Sequence, residues 1–138
     1  REPFLWDYRQ NDRQRARWMK PKYSKSKTVV PLAGQVNDAD SLFNHYKRLI
    51  HFRKSNSVLA NVHGTIELLP TTDNRIVAFS RKVSDREVWV IHNISSEPLT
   101  YTDLHMPNEL LFRTNELTRF LKIDQLLLAP YSCAVLGD

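Results

Sequence analysis

Only three glycines occur in the 138 residues, and none falls in a GxGxxG or GxxxxGK(S/T) pattern. A glycine-rich phosphate-binding loop is therefore excluded. A single cysteine, Cys133, rules out an internal disulfide and any cysteine-based metal site. Within YSCAVLG it reads as a buried small hydrophobe, because nothing nearby in sequence would activate a thiol. No apolar run approaches the roughly 20 residues a membrane span needs, so a soluble chain without a membrane partner is expected. The serine elbow GxSxG is missing, and Ser132 reads as the start of a strand. HExxH is missing too. His45 and His51 stand six apart on different helix faces, while His63 and His105 fall in predicted turns. With His92 they make five scattered histidines, so no metal and no cofactor is expected. An initiator Met and a leader-like apolar run are also lacking: the chain opens on REPFLWD. Charge, Pro and Trp crowded together there suggest the interior of a larger protein.

What is present suffices for a core, with 41% hydrophobic and 10% aromatic residues. The net charge of +5 is unevenly spread. Residues 1–27 hold nine Lys/Arg against three Asp/Glu, and the remainder is close to balanced. The run RQRARWMKPKYSKSK, with Trp18 and Tyr23 available to stack, could serve a nucleic-acid arm or a solvated connecting loop. No helix-turn-helix, zinc or RNP-like pattern accompanies it, so no nucleic-acid partner is expected. Acidic pairs Asp38/Asp40 and Asp85/Glu87 stand where helix caps and turns call for carboxylates. Asn93-Ile-Ser matches a glycosylation acceptor, a short pattern common by chance.

Residues 1–37 show little periodicity and contain Pro3, Pro21 and Pro31, so they are expected to be irregular. Leu42, Tyr46, Leu49 and Ile50 then recur at helical spacing, flanked by Phe43 and Phe52. The pattern predicts a helix from about 39 to 54, capped by Asp38 or Asp40 and closed by Arg53 and Lys54. After Asn56 the period drops to two. Seven short runs, from GTIELLP to YSCAVLG, alternate with turn clusters such as TTDN, VSDR and NISSEP. The fold class expected is mainly β: an antiparallel sandwich preceded by an irregular segment and one helix.

Arg1, Pro3, Trp6 and Asp7 form R-x-P-x-x-W-D, which resembles a segment of the α-amylase family, glycoside hydrolase family 13. Its oligo-1,6-glucosidase and α-glucosidase-like members are the most similar in kind. SLFNHYKRLIHFRKSN resembles the helix that closes their (β/α)8 barrel, and RIVAFSRK, VWVIHNIS and LLLAPYSCAVL resemble strands of domain C. The likeness covers essentially the whole chain. Glu2, Phe4 and Leu5 depart from the Thr, Met and Gln common in the oligo-1,6-glucosidase form.

The resemblance implies that residues 1–55 end a catalytic barrel and residues 56–138 form domain C. It implies a retaining glycosidase on α-glucosidic bonds of starch-derived or related oligosaccharides. The catalytic carboxylates and the family's usual calcium site would lie upstream, leaving no catalytic residue here and an inactive isolated chain. Arg1 would be the substrate-binding residue, offering guanidinium donors to sugar hydroxyls. The alternative is an independent carbohydrate-binding sandwich, with Trp89 or Tyr101 as its aromatic platform. The apolar side of the 39–54 helix is too rich for a solvated surface, so the isolated chain is expected to self-associate.

Overall fold

A computed structural model describes residues 2–9 and 13–137. The chain divides into two compact units, Arg1–Phe52 and Arg53–Asp138.

In the first unit the irregular reading of residues 1–37 needs one amendment. Pro31 presets its own backbone, and a single helical turn follows, α1 (Leu32–Gln35). The orphan amides of that turn find partners at a distance. Leu32 and Ala33 donate to the Leu5 and Trp6 carbonyls, at 3.2 and 2.9 Å. The long helix α2 spans Leu42–Ser55, so it starts later than the pattern suggested. Its cap is neither predicted aspartate. The Ser41 hydroxyl accepts from the Asn44 amide at 3.2 Å, whereas Asp38 closes a local turn onto the Asp40 amide at 3.0 Å. Arg53 and Lys54 do occupy the last turn.

The second unit opens with α3 (Ser57–Ala60), a turn that the sequence reading missed. Asn56 caps it by accepting from the Val58 and Leu59 amides, both at 3.0 Å. Among the described residues eight antiparallel strands follow. β1 (Thr65–Leu68), β2 (Ile76–Val83), β3 (Arg86–Asn93), β8 (Cys133–Gly137) and β5 (Glu109–Arg113) form one sheet in that order. β4 (Leu99–Thr102), β7 (Gln125–Leu128) and β6 (Arg119–Lys122) form the other. The seven expected runs become eight strands because RFLKIDQLLLAP is a hairpin. Its turn at Ile123-Asp124 carries no Gly, Pro or Asn, and a register shift between Phe120 and Lys122 accompanies it.

The core lies between the sheets. Ile76, Ala78, Trp89, Ile91, Ala134 and Leu136 face Tyr101, Leu126 and Leu128 across the sandwich. Full burial of an Ile or Leu side chain contributes about 1.5–3 kcal/mol, so Ile91, Leu126, Leu128 and Leu136 anchor the domain. The predicted alternation holds in β2, where Ile76, Ala78 and Ser80 are buried. In β3 both faces are covered, from Val88 through Ile91. The second cover is α3. Val88 pairs with Arg81 across the ladder, and the Arg81 guanidinium caps α3 through the Val58 and Asn61 carbonyls. On the same face, across the ladder from Val88, Leu111 bulges over Gly137, where a Cβ would meet Leu111 Cδ1 at 2.6 Å.

Candidate functional site

The segment after Arg1 is tied down by side-chain-to-backbone hydrogen bonds. Glu2 Oε1 accepts from the Lys22 and Tyr23 amides at 2.8 and 3.0 Å. Glu2 Oε2 accepts from the Tyr23 and Ser24 amides at 2.9 and 2.6 Å. Three consecutive backbone N–H groups thus converge on one carboxylate, an anion nest filled by the chain's own side chain. The Ser24 amide, then those of Lys22 and Tyr23, hold the Glu2 carboxyl below its ordinary pKa. One residue on, the Pro3 carbonyl accepts from the Ser24 hydroxyl at 3.2 Å and from Arg15 Nη2 at 3.3 Å. Arg15 Nη2 also donates to the Ser24 carbonyl. Pro3 and Leu5 are buried.

Beyond this clamp lies a cavity of about 670 Å³ lined by Trp6, Asp7, Arg9, Arg13, Gln14 and the start of α1. Phe4 meets the Trp6 ring edge-on at 4.8 Å, and Arg9 pairs with Asp7 at 3.5 Å. An indole face beside guanidinium, carboxylate and carboxamide groups has the chemistry that hydrogen-bonds and stacks on a pyranose. A smaller cavity of about 490 Å³ along α2 offers Lys47, Arg48 and His51 but no such ring.

Arg1, the predicted substrate residue, lies outside the described residues. Glu2, Arg15 and the 22–24 turn were not anticipated. Their only sequence signal is a Glu before a Pro, because their partners are backbone amides some twenty residues away.

The other candidates fall as follows. Trp89 and Tyr101 are 7% and 3% exposed and belong to the core, so neither can be a sugar platform on the sandwich surface. Asn93 is 2% exposed with its carboxamide engaged at both ends, which removes it as a glycosylation acceptor in the folded chain. Cys133 is only partly buried by area, yet burial pushes its thiol up to about 12. His92 Nε2 lies 3.9 Å from its Sγ, and burial lowers the imidazole pKa. The pair is therefore a neutral thiol beside a neutral imidazole, not an activated nucleophile. Among the described residues no group of three or more His, Cys, Asp or Glu could hold a metal. No helix among them is long and apolar enough to cross a membrane.

A helix followed by a two-sheet antiparallel sandwich is the architecture of the carboxyl-terminal β domain of α-amylase-type enzymes. Comparison with known proteins agrees. No family model matches the chain. Alpha-amylase 3 of Dictyoglomus thermophilum is 28% identical over 137 residues, covering 98% of this chain and 26% of that protein. The oligo-1,6-glucosidase of Parageobacillus thermoglucosidasius is 27% identical over 121 residues, covering 85% and 20%. Among solved structures, isomaltulose synthase from Erwinia rhapontici superposes with a TM-score of 0.78 at 26% identity, covering 97% of this chain and 24% of that one. The chain belongs to the α-amylase family, glycoside hydrolase family 13. It spans about a quarter of the length of these relatives.

Proposed function

We propose that this chain is the carboxyl-terminal portion of a glycoside hydrolase acting on α-glucosidic bonds of starch-derived or related oligosaccharides. The observation that carries the reading is the match to Alpha-amylase 3 along 98% of the chain but only 26% of that protein. Residues 1–55 then end the catalytic barrel with its last helix, and residues 56–138 are domain C. The chemistry is retaining: a carboxylate attacks the anomeric carbon, and a second carboxyl protonates the leaving oxygen. The second carboxyl then draws a proton from the water that releases the sugar. Both carboxyls belong to the preceding barrel strands, so the part played by this chain is support and substrate contact.

Arg1 is the substrate-contacting residue of the chain, its guanidinium offering donors to sugar hydroxyls. The clamp on residues 2 and 3 and the cavity beside Trp6 favour this role, because rigid backbone and sugar-compatible groups occur in the segment that directly follows Arg1 in sequence. The substrate is an α-glucan or oligosaccharide, bound mainly by the barrel. The test is Arg1→Ala in the enzyme that contains this portion, assayed on malto- and isomalto-oligosaccharides. A fall in kcat/KM supports the assignment, and unchanged kcat and KM remove Arg1 from the site. Residues 1–138 alone release no glucose from maltose, isomaltose or starch, and release above a host-extract control would overturn the reading.

A further inference from the structure

We infer that Glu2 is a positioning residue for substrate binding, acting through Arg1; the inference rests on the role proposed for Arg1 above. The geometry is specific to the two residues that join Arg1 to the rest of the chain. Glu2 precedes a proline, which disfavours the α region for its own backbone. Its carboxylate is held by four hydrogen bonds from the Lys22, Tyr23 and Ser24 amides. Pro3 has a ring-locked φ, is buried, and has a carbonyl gripped by Ser24 and Arg15. The backbone is thus constrained at the two residues that follow Arg1 in sequence.

A carboxylate suits this task better than any neutral side chain. Two acceptor oxygens are needed, because the three amides arrive in sequence and the middle one, Tyr23, reaches both. A carboxamide has one acceptor, and its NH2 group would face an amide donor. The loop it holds is also basic, with Lys20, Lys22, Lys25 and Lys27. The one carboxylate seated in the turn brings that loop against residues 2 and 3. The consequence for catalysis is geometric: a guanidinium displaced by about 1 Å can cost a large factor in rate without touching the chemistry.

The experiment is a double-mutant cycle in the enzyme that contains this portion: Arg1→Ala, Glu2→Gln and both together, assayed for kcat and KM on isomaltose and maltose. Expected is a loss in kcat/KM of about tenfold for Glu2→Gln, carried mainly by KM, and a larger loss for Arg1→Ala. In the Arg1→Ala background Glu2→Gln should cost nothing further, because the residue it positions is gone. Glu2→Asp, which keeps both acceptor oxygens, should recover part of the loss. If Arg1→Ala is costly but Glu2→Gln is silent or fully additive, the positioning role is overturned and the Arg1 assignment stands. If Arg1→Ala itself is silent, both fall. Thermal unfolding of each variant identifies any loss due to misfolding. A loss that tracks unfolding, with no Glu2→Asp recovery, counts against the positioning role.

Discussion

The buried carboxamide of Asn93 donates to the Ala129 carbonyl at 3.0 Å. That bond ties the end of β3 in the large sheet to the end of β7 in the small one. The same amide group reaches the Glu97 carbonyl at 2.6 Å, while its oxygen accepts from the Ser95 amide at 2.9 Å. One side chain thus satisfies the turn after β3 and the inter-sheet corner together.

Asn93→Ala should destabilise the domain by about 2–4 kcal/mol, because it strands buried acceptors and a donor at once. Urea unfolding of the variant measures this. Expression in a host that glycosylates secreted chains should leave position 93 unmodified on folded material.

Two buried hydroxyls should respond oppositely to removal. Thr118 is fully buried, accepts from the Ala129 amide at 3.1 Å and lies 2.9 Å from the Ser132 hydroxyl, which donates to the Ala129 carbonyl at 2.7 Å. Thr118→Val breaks this closed network and should cost about 2 kcal/mol. The Tyr101 hydroxyl is buried and makes no hydrogen bond of good geometry among the described residues, although the Asp103 carboxylate is near enough to interact with it. Burial, with the nearby Asp103 charge second, pushes it up to about 12. Tyr101→Phe removes a buried polar atom that lacks a well-formed hydrogen bond and should be neutral or stabilising by up to about 1 kcal/mol. Thermal melts of both variants side by side test the contrast.

Acid should weaken the turn before β2. Hydrogen bonds from Arg75 lower the Asp73 carboxyl from 3.8 to about 2. Arg75 also reaches Glu97 at 2.7 Å. A carboxyl depressed in the folded state favours folding above its unfolded pKa, and that contribution fades as pH falls from about 4 to about 2. The groups are solvent-exposed, so the effect is small and weakens in salt. Asp73→Asn should be slightly less stable than the parent chain at pH 6. The gap should narrow as pH falls towards about 2 and close below that. A gap that widens on acidification would reverse the sign argued here.

The apolar side of α2 carries a further expectation. Leu42 is 66% exposed and Ile50 57%, with Phe43 and Tyr46 exposed beside them. If residues 1–55 end a barrel, these side chains pack against it in the enzyme that contains this portion. Residues 1–138 alone should then cover them by pairing, as a dimer or larger species at micromolar concentration. Sedimentation of a strict monomer, with Leu42→Gln and Ile50→Gln leaving its solubility unchanged, would refute this.

Local chemistry determined much of this protein. Period-two alternation marked the strands, helical spacing marked the 42–55 helix, and R-x-P-x-x-W-D with SLFNHYKRLIHFRKSN marked the family. These signals are legible because they are written at separations of two to four residues, where backbone geometry repeats. Several features were not legible for the same reason. The hairpin at Ile123-Asp124 has no residue that demands a turn, so it becomes one only when Leu126 and Leu128 must enter the core facing Tyr101. Trp89 and Tyr101 look like a binding platform in sequence, and only the packing of two sheets buries them. Asn93 looks like an acceptor for sugar until the β7 corner closes on it. The Glu2 nest needs amides some twenty residues away. Tertiary structure alone decided these points, because each depends on groups that the chain separates and only burial brings within hydrogen-bonding reach.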